Sequence, residues 1–383
     1  MVGIVDVARH ANVSASTVSY VLSGKRPISP ETQRRVHESI KALGYHPHAG
    51  ARALASKRSN VIALVVPLRV GVHVPVLMQF VAAVVARARD FDHDVLLLTQ
   101  DEGERGLRRV EASSLADAII MMDIELDDVR VPVVRELRTP CVLIGFPAEA
   151  EGLTCIDLDF VAAGRMCVDH LAEFGRRKLA LLGSPPAVYE RRTGFASRVA
   201  EGVMAAAEQR GVVVRTKACE PTRDAAYRAI GELFEAEPGL DGLIVHNESI
   251  LESVLAALRD GGKRVPADVS VVAICPDELA ARLEVSCVAL PADDVGRQAV
   301  ELVMAKLDGR EVSPATWLPP RLTVRATSSP AGRQPIQAGG QGKPSRRSSS
   351  RSGGSASNLS GSPGTRSGNQ PGRSRRVTSG RGE

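Results

Sequence analysis

Between Val61 and Leu307 apolar runs of strand length alternate with amphipathic runs of helix length, and this alternation leaves few folds open. The strand-like runs are Val61–Val66, Val95–Leu98, Ala118–Met122, Cys141–Ile144, Thr154–Ile156, Lys178–Leu182, Val212–Arg215, Gly242–Val245 and Val269–Ile274. Helical runs fall between them at Val76–Arg89, Ala162–Phe174, Arg191–Arg210, Asp224–Glu235, Ile250–Arg259 and Asp293–Leu307. Strands that are apolar throughout, rather than alternately, are buried on both faces. Helices between them supply the cover, so the pattern predicts parallel sheets. Two successions of about five strands each predict two doubly wound α/β subdomains.

The first sixty residues read differently. Val5–His10, Ser14–Leu22 and Pro30–Leu43 are short helical runs separated by turn residues, and residues 46–60 form an Ala-rich basic linker. Residues 330–383 are a low-complexity Ser/Gly/Arg/Pro tail whose few apolar side chains cannot offset the entropy of ordering, so disorder is expected there. The net charge of +5 is unevenly spread: about +6 over residues 1–60, −10 over 61–329 and +9 over 330–383. A basic head and tail around an acidic body imply a division of labour, with the tail either solubilising or an electrostatic aid to DNA binding.

Several classes are excluded. No apolar stretch approaches the roughly 18 residues a membrane helix requires, and MVGIVDVARHANVS lacks the form of a secretory signal. A cytoplasmic location follows as an expectation, with no membrane partner. The six cysteines, 141, 155, 167, 219, 275 and 287, include no C-x-x-C pair and read as buried reduced thiols. The eight histidines show no metal-ligand spacing, Ser184 and Ser249 lie outside any G-x-S-x-G elbow, and no phosphate-loop glycine motif is present. No enzyme activity, metal or cofactor is expected. With aromatics at 3% of the chain, a sugar platform of many stacked rings is also disfavoured.

The N-terminal segment carries the chemistry. In Ile4–Leu22, Ala8 is small where two helices must meet, Asn12 suits a tight turn with positive φ, and Ser14 is a good N-cap for the next helix. Val7, Val13, Val18 and Val21 can form a buried seam, leaving Ala15, Ser16, Ser19 and Tyr20 outward at the start of a helix that could enter a major groove. This is helix–turn–helix spacing.

The strings DVARHANVSASTVSYVLSG, RPISPETQRRVHESIKALGYHPHAGARALASKRSNVIALVVP, DHLAEFGRRKLALLG, RRTGF and VPADVSVV together resemble the lactose-repressor (LacI-type) family of bacterial transcriptional regulators, over about residues 3–328. The resemblance implies a headpiece at 1–45, a hinge at 46–60 and an effector-sensing, dimerising core at 61–329. That core resembles a periplasmic binding protein, with subdomains of about 61–157 plus 290–316 and 158–289 plus 317–329. It implies DNA contacts from Ser14, Ala15, Ser16, Thr17, Ser19 and Tyr20, with Ser29 and Thr32 near phosphates. Pro47–Ser56 would fold into the minor groove with Arg52 attracting phosphate and Leu54 as wedge. Gly50 weakens such a hinge helix by about 1 kcal/mol, so it should form only on DNA. Tyr20 stands where many members carry Arg, and one hydroxyl cannot replace a bidentate guanine contact, so a different half-site preference is expected.

For the cleft the resemblance implies Arg191 of R-x-x-G-F and Asn247 of VHNES as ligand anchors, with Asp159 of IDLD as a further candidate. Where sugar-binding relatives have an acidic motif after the VSVV strand, this chain has Ala273-Ile274-Cys275-Pro276, placing Cys275 at the acidic position with Asp277 as a substitute. The partner expected is a small-molecule effector, a sugar or a related metabolite, and the loss of the acidic motif leaves open a non-sugar ligand or a vestigial cleft. The function expected is a homodimeric repressor on a pseudo-palindromic operator. The rival reading, a solute-binding protein of the same core fold, leaves the headpiece without use.

Overall fold

The computed structural model describes residues 2–23, 26–45 and 58–328. The predicted hinge Pro47–Ser56, with Arg52 and Leu54, and the predicted disordered tail at 330–383 lie outside the described residues.

Three helices form the headpiece: α1 (Ile4–His10), α2 (Ala15–Ser23) and α3 (Pro30–Leu43). Their shared core is Val7, Ala8, Ala11, Val18, Val36 and Tyr45, with Val13 and Val21 partly buried against it. Asn12 takes the positive φ (49°) that the turn between α1 and α2 demands. The Ser14 hydroxyl accepts from the Thr17 amide at 3.1 Å, and the Ser29 hydroxyl accepts from the Thr32 amide at 3.3 Å, capping α2 and α3. Gly44 ends α3 in the left-handed conformation.

The core holds two six-stranded sheets. The first runs β11 (Ala315–Leu318), β5 (Cys155–Leu158), β4 (Cys141–Ile144), β3 (Ala118–Met121), β1 (Val61–Val65), β2 (Asp94–Leu98), all parallel. The second runs β12 (Leu322–Thr323), β10 (Ser286–Ala289), β9 (Ser270–Cys275), β8 (Gly242–Val245), β6 (Lys178–Gly183), β7 (Val213–Ala218), parallel except for β12. Every residue of β3, β4, β8 and β9 is buried, as strands covered on both faces must be. Helices α4 (Val74–Arg89) and α13 (Ala292–Leu307) pack together over the first sheet. Helices α7 (Phe160–Glu173) and α9 (Gly194–Arg210) pack together over the second.

Three departures from the sequence reading have physical causes. Each sheet has six strands rather than about five, because β10, β11 and β12 are too short or too polar to stand out as apolar runs. The strand Ala315–Leu318 lies wholly in the first sheet beside β5, so the last crossing between subdomains falls after Leu318 and not before residue 317. The helix expected over Arg191–Arg210 begins only at Gly194, as α9. A separate short helix, α8 (Pro186–Glu190), precedes it, and Arg192 between them adopts a positive φ (54°).

Candidate effector cleft and DNA-binding headpiece

A doubly wound sheet leaves a crevice where strand order reverses, outside the carboxyl ends of the two strands that flank the reversal. Here those strands are β1 and β3 in one sheet and β6 and β8 in the other. The segments that follow them, at Pro67–His73, Met122–Ile124, Ser184–Pro185 and His246–Ser249, line one cavity of about 160 Å³ between the subdomains. Drug-sized ligand pockets run to roughly 300–1,000 Å³, so this cleft is small. Its walls are mainly apolar, with Leu77, Phe80, Phe160, Val188, Phe195 and Leu290 among them.

Contacts across the cleft hold it closed. Glu125 and Thr193 form a β-bridge, flanked by Leu126 N–H to Arg192 C=O and Gly194 N–H to Ile124 C=O, both 2.9 Å. Arg192 pairs with Asp127. His73 Nδ1 lies 2.8 Å from Glu248 Oε1, without hydrogen-bond alignment. Burial acts to raise the Glu248 pKa, but His73 and the local backbone outweigh it and hold the carboxyl below its usual range.

The break at Arg192 leaves Arg191 capping α8 and turned into the cleft. Its Nη1 donates to the Val70 carbonyl at 2.9 Å, while Nε and Nη2 are buried without a hydrogen-bond partner. Asn247 also lines the cavity, but its amide donates to the carbonyls of Cys219 (2.8 Å) and Gly183 (3.3 Å), so part of its capacity serves the fold.

Three expected anchors lie elsewhere. Asp159 is the N-cap of α7, accepting from the Ala162 amide at 2.9 Å, and does not line the cavity. Cys275 is fully buried in the core beneath the second sheet, in the same cluster as Ala280 and Cys287, and does not line the cavity. Asp277 pairs with Arg325 at 2.7 Å on that same side. The acidic groups of the cleft are instead Asp123, Asp157 and Glu248. Asp123 pairs with Arg69 at 3.2 Å, and Arg69 also holds Asp101 and Glu125, each at 2.8 Å.

Asp157, like Asp123, His246 and Glu248, is a cleft residue the sequence reading missed. It is 9% exposed, and its only hydrogen bond is from the adjacent Leu158 amide, 2.9 Å to Oδ1. Burial pushes its carboxyl up to about 7, against the Leu158 bond and the more distant Arg198. His246, 3% exposed with Nδ1 unpartnered, is pushed down to about 4 by burial and is neutral at pH 7. Among the described residues, no group of three or more His, Cys, Asp or Glu is arranged to hold a metal ion.

The raised Asp157 pKa makes stability depend on pH. The folded chain keeps a proton that the unfolded chain, at about 3.9, has lost, so native stability falls as pH rises from about 4 to 7 and then levels off. Asp157→Asn should therefore gain about 1–3 kcal/mol over the parent above pH 7 and little near pH 4. Denaturant titrations at several pH values measure this, and parallel curves would refute it.

In the headpiece, Ser14 and Ser16 are exposed, and Thr17, Ser19 and Tyr20 are half-buried along α2. The Arg26 guanidinium sits 5.3 Å from the Tyr20 ring centre. Ala15 differs from its expected outward position, since it packs partly against the headpiece core. The Ser14 hydroxyl is engaged by Ser16 and Thr17, and Ser29 donates to Thr32 Oγ1 at 2.9 Å. Residues 3–48 match the model for bacterial regulatory proteins of the lacI family.

The chain carries the headpiece of a LacI-type transcriptional regulator.

Residues 168–328 match a periplasmic binding protein-like domain. Catabolite control protein A of Staphylococcus xylosus is 27% identical over 336 residues, covering 85% of this chain and 99% of that protein. The transcriptional regulator CelR of Thermobifida fusca is 28% identical over 327 residues, covering 80% and 92%. Among solved structures, a CelR–cellobiose complex aligns with a TM-score of 0.61 at 25% identity, over 85% of this chain and all of that one. The Lac repressor dimer bound to operator and the anti-inducer ONPF has the same fold, with a TM-score of 0.73 at 21% identity over 85% and 99%. These relatives are regulators rather than enzymes. No helix among the described residues is long and apolar enough to cross a membrane.

Proposed function

We propose that the chain acts as a LacI-type homodimeric repressor on a pseudo-palindromic operator and that a small molecule in the inter-subdomain cleft adjusts its grip. The reading rests on one observation: a helix–turn–helix with a capped second helix shares a chain with a two-subdomain cleft that buries unpartnered polar atoms. Ser16, Thr17, Ser19 and Tyr20 would read or bracket the major groove. Ser29, Thr32 and Arg52 would face phosphates, and Leu54 would wedge the minor groove. The two-fold axis of a dimer would set half-site spacing, and a ligand that favours one cleft angle would shift operator affinity by about 1–3 kcal/mol. Such a repressor works where the chromosome is, in the cytoplasm. A solute-binding protein would have no use for the headpiece.

Selection of bound sequences from random DNA by the full-length protein tests the reading. An enriched palindrome is the expected result, and binding that ignores sequence would overturn it. On the selected operator, Leu54→Ala should weaken binding about 10- to 100-fold while leaving non-specific affinity within about twofold, as expected when a DNA-kinking wedge is lost. Equal losses on both DNAs would remove the wedge role.

A further inference from the structure

Buried polar atoms without partners are rare, and each calls for a missing group. Eight such atoms occur among the described residues. Arg191 contributes Nε and Nη2, and His73, His246 and Thr193 contribute one each, all at or beside the cleft. The cavity has room for on the order of ten water-sized groups. Its titratable groups sort into engaged and unengaged. Asp123 is held by Arg69, and Glu248 faces His73. Glu125, 3.7 Å from Arg191 Nε and beyond hydrogen-bond range, is held by Arg69 at 2.8 Å.

Two groups remain. The Arg191 guanidinium, from the second subdomain, has Nη1 on the Val70 carbonyl and Nε 3.7 Å from a Glu125 carboxylate already held by Arg69, which leaves Nη2 without an acceptor. The Asp157 carboxyl, on β5 of the first, offers an acceptor oxygen with no side-chain donor. Apolar side chains, among them Leu77, Phe80, Phe195 and Leu290, line the same cavity. A hydroxyl-only ligand would leave Arg191 sharing Glu125 with Arg69, and Asp157 with only Arg198 to offset its charge. A ligand with an anionic end, a cationic end and an apolar body satisfies all three features.

We infer that the effector is a small zwitterion of the amino-acid class, its carboxylate on Arg191, its ammonium on Asp157 and its side chain among the apolar wall residues. The inference rests on the effector reading above. Because the two anchors come from opposite subdomains, such a ligand would tie the cleft shut. An ammonium beside Asp157 would also restore that carboxyl to its ionised form.

The test is thermal stabilisation and calorimetric titration of the full-length protein with the neutral-side-chain amino acids, and with cellobiose as the hydroxyl-only probe. The strongest amino acid is then compared with its amine-only and carboxylate-only analogues; for leucine these are isopentylamine and isocaproate. Binding by an amino acid is expected, with about 10- to 100-fold loss on removing either charged end, the size of a lost charge-assisted hydrogen bond. Asp157→Asn should erase the ammonium preference and Arg191→Gln the carboxylate preference, each without loss of cold solubility or cooperative unfolding. Failure of every amino acid to bind overturns the inference. So does cellobiose binding that Asp157→Asn leaves intact. Sugar binding that shifts operator affinity would keep the effector reading and remove the zwitterion. Amino-acid binding with no change at the operator would do the reverse.

Discussion

Arg130→Met should cost about 3–5 kcal/mol of stability in denaturant unfolding, the usual penalty for stranding one partner of a buried ion pair. Arg130 is 1% exposed and Asp128 6%. Two parallel bonds join them, Nε to Oδ1 at 2.9 Å and Nη2 to Oδ2 at 2.7 Å. Nη2 also donates to the Asp123 carbonyl at 2.8 Å, and the Asp128 carboxylate accepts from the amides of Arg130 and Glu125. This pair therefore staples the loop that carries Asp123 and Ile124 into the cleft and Glu125 into the bridge across it. Burial alone would raise the Asp128 pKa, but Arg130 overrides it and holds the carboxyl low. A depressed carboxylate stabilises the fold above its unfolded pKa, about 3.9, and that contribution is lost on acidification. The gap between parent and variant should thus narrow below about pH 4. Adding Asp128→Leu to Arg130→Met should recover part of the loss, because a missing pair costs less than a stranded charge. A single variant as stable as the parent at pH 7 would show the pair to be ornamental.

How far the sequence reached this picture differs between its parts. The headpiece was readable almost residue by residue, since Asn12, Ser14 and Ser29 each act locally and their roles do not depend on distant chain. The parallel sheets were readable because fully buried strands form unbroken apolar runs. The cleft was not. Its lining comes from the ends of strands far apart in sequence, among them β1, β3, β4, β5, β6, β8 and β10. A motif after β9 points to Cys275 and Asp277, yet Cys275 lies in the core beside Ala280 and Cys287, and Asp277 pairs with Arg325. Within IDLD the choice fell on Asp159, which has the N-cap signature of a helix starting at Phe160, while Asp157 two residues earlier ends a strand at the cavity. A cue for His246 and Glu248 did exist, because a polar run follows directly on the apolar strand Gly242–Val245. Only Asn247 was taken from it.

Gly202→Ala should destabilise the core by about 3 kcal/mol, even though alanine returns up to about 1 kcal/mol of helix propensity. Helices α7 and α9 cross at backbone contact. A Cβ on Gly202 would overlap the Val161 carbonyl, and one on Gly164 would overlap the Val199 carbonyl, so neither helix has a flexible side chain that could give way. Relief requires the helices to separate. Phe160 begins α7 and Phe195 lies in the first turn of α9, and their rings, 5.9 Å apart, both face the cleft. Separation should therefore enlarge the cavity and weaken effector binding as well as stability. Gly231, on the helix Arg223–Ala236, is the matched control: a Cβ there meets nothing within 4 Å. Gly231→Ala should stabilise by up to about 1 kcal/mol and leave the ligand response unchanged. Equal effects of the two substitutions in denaturant unfolding would mean that the two helices do not meet as closely as their glycines imply.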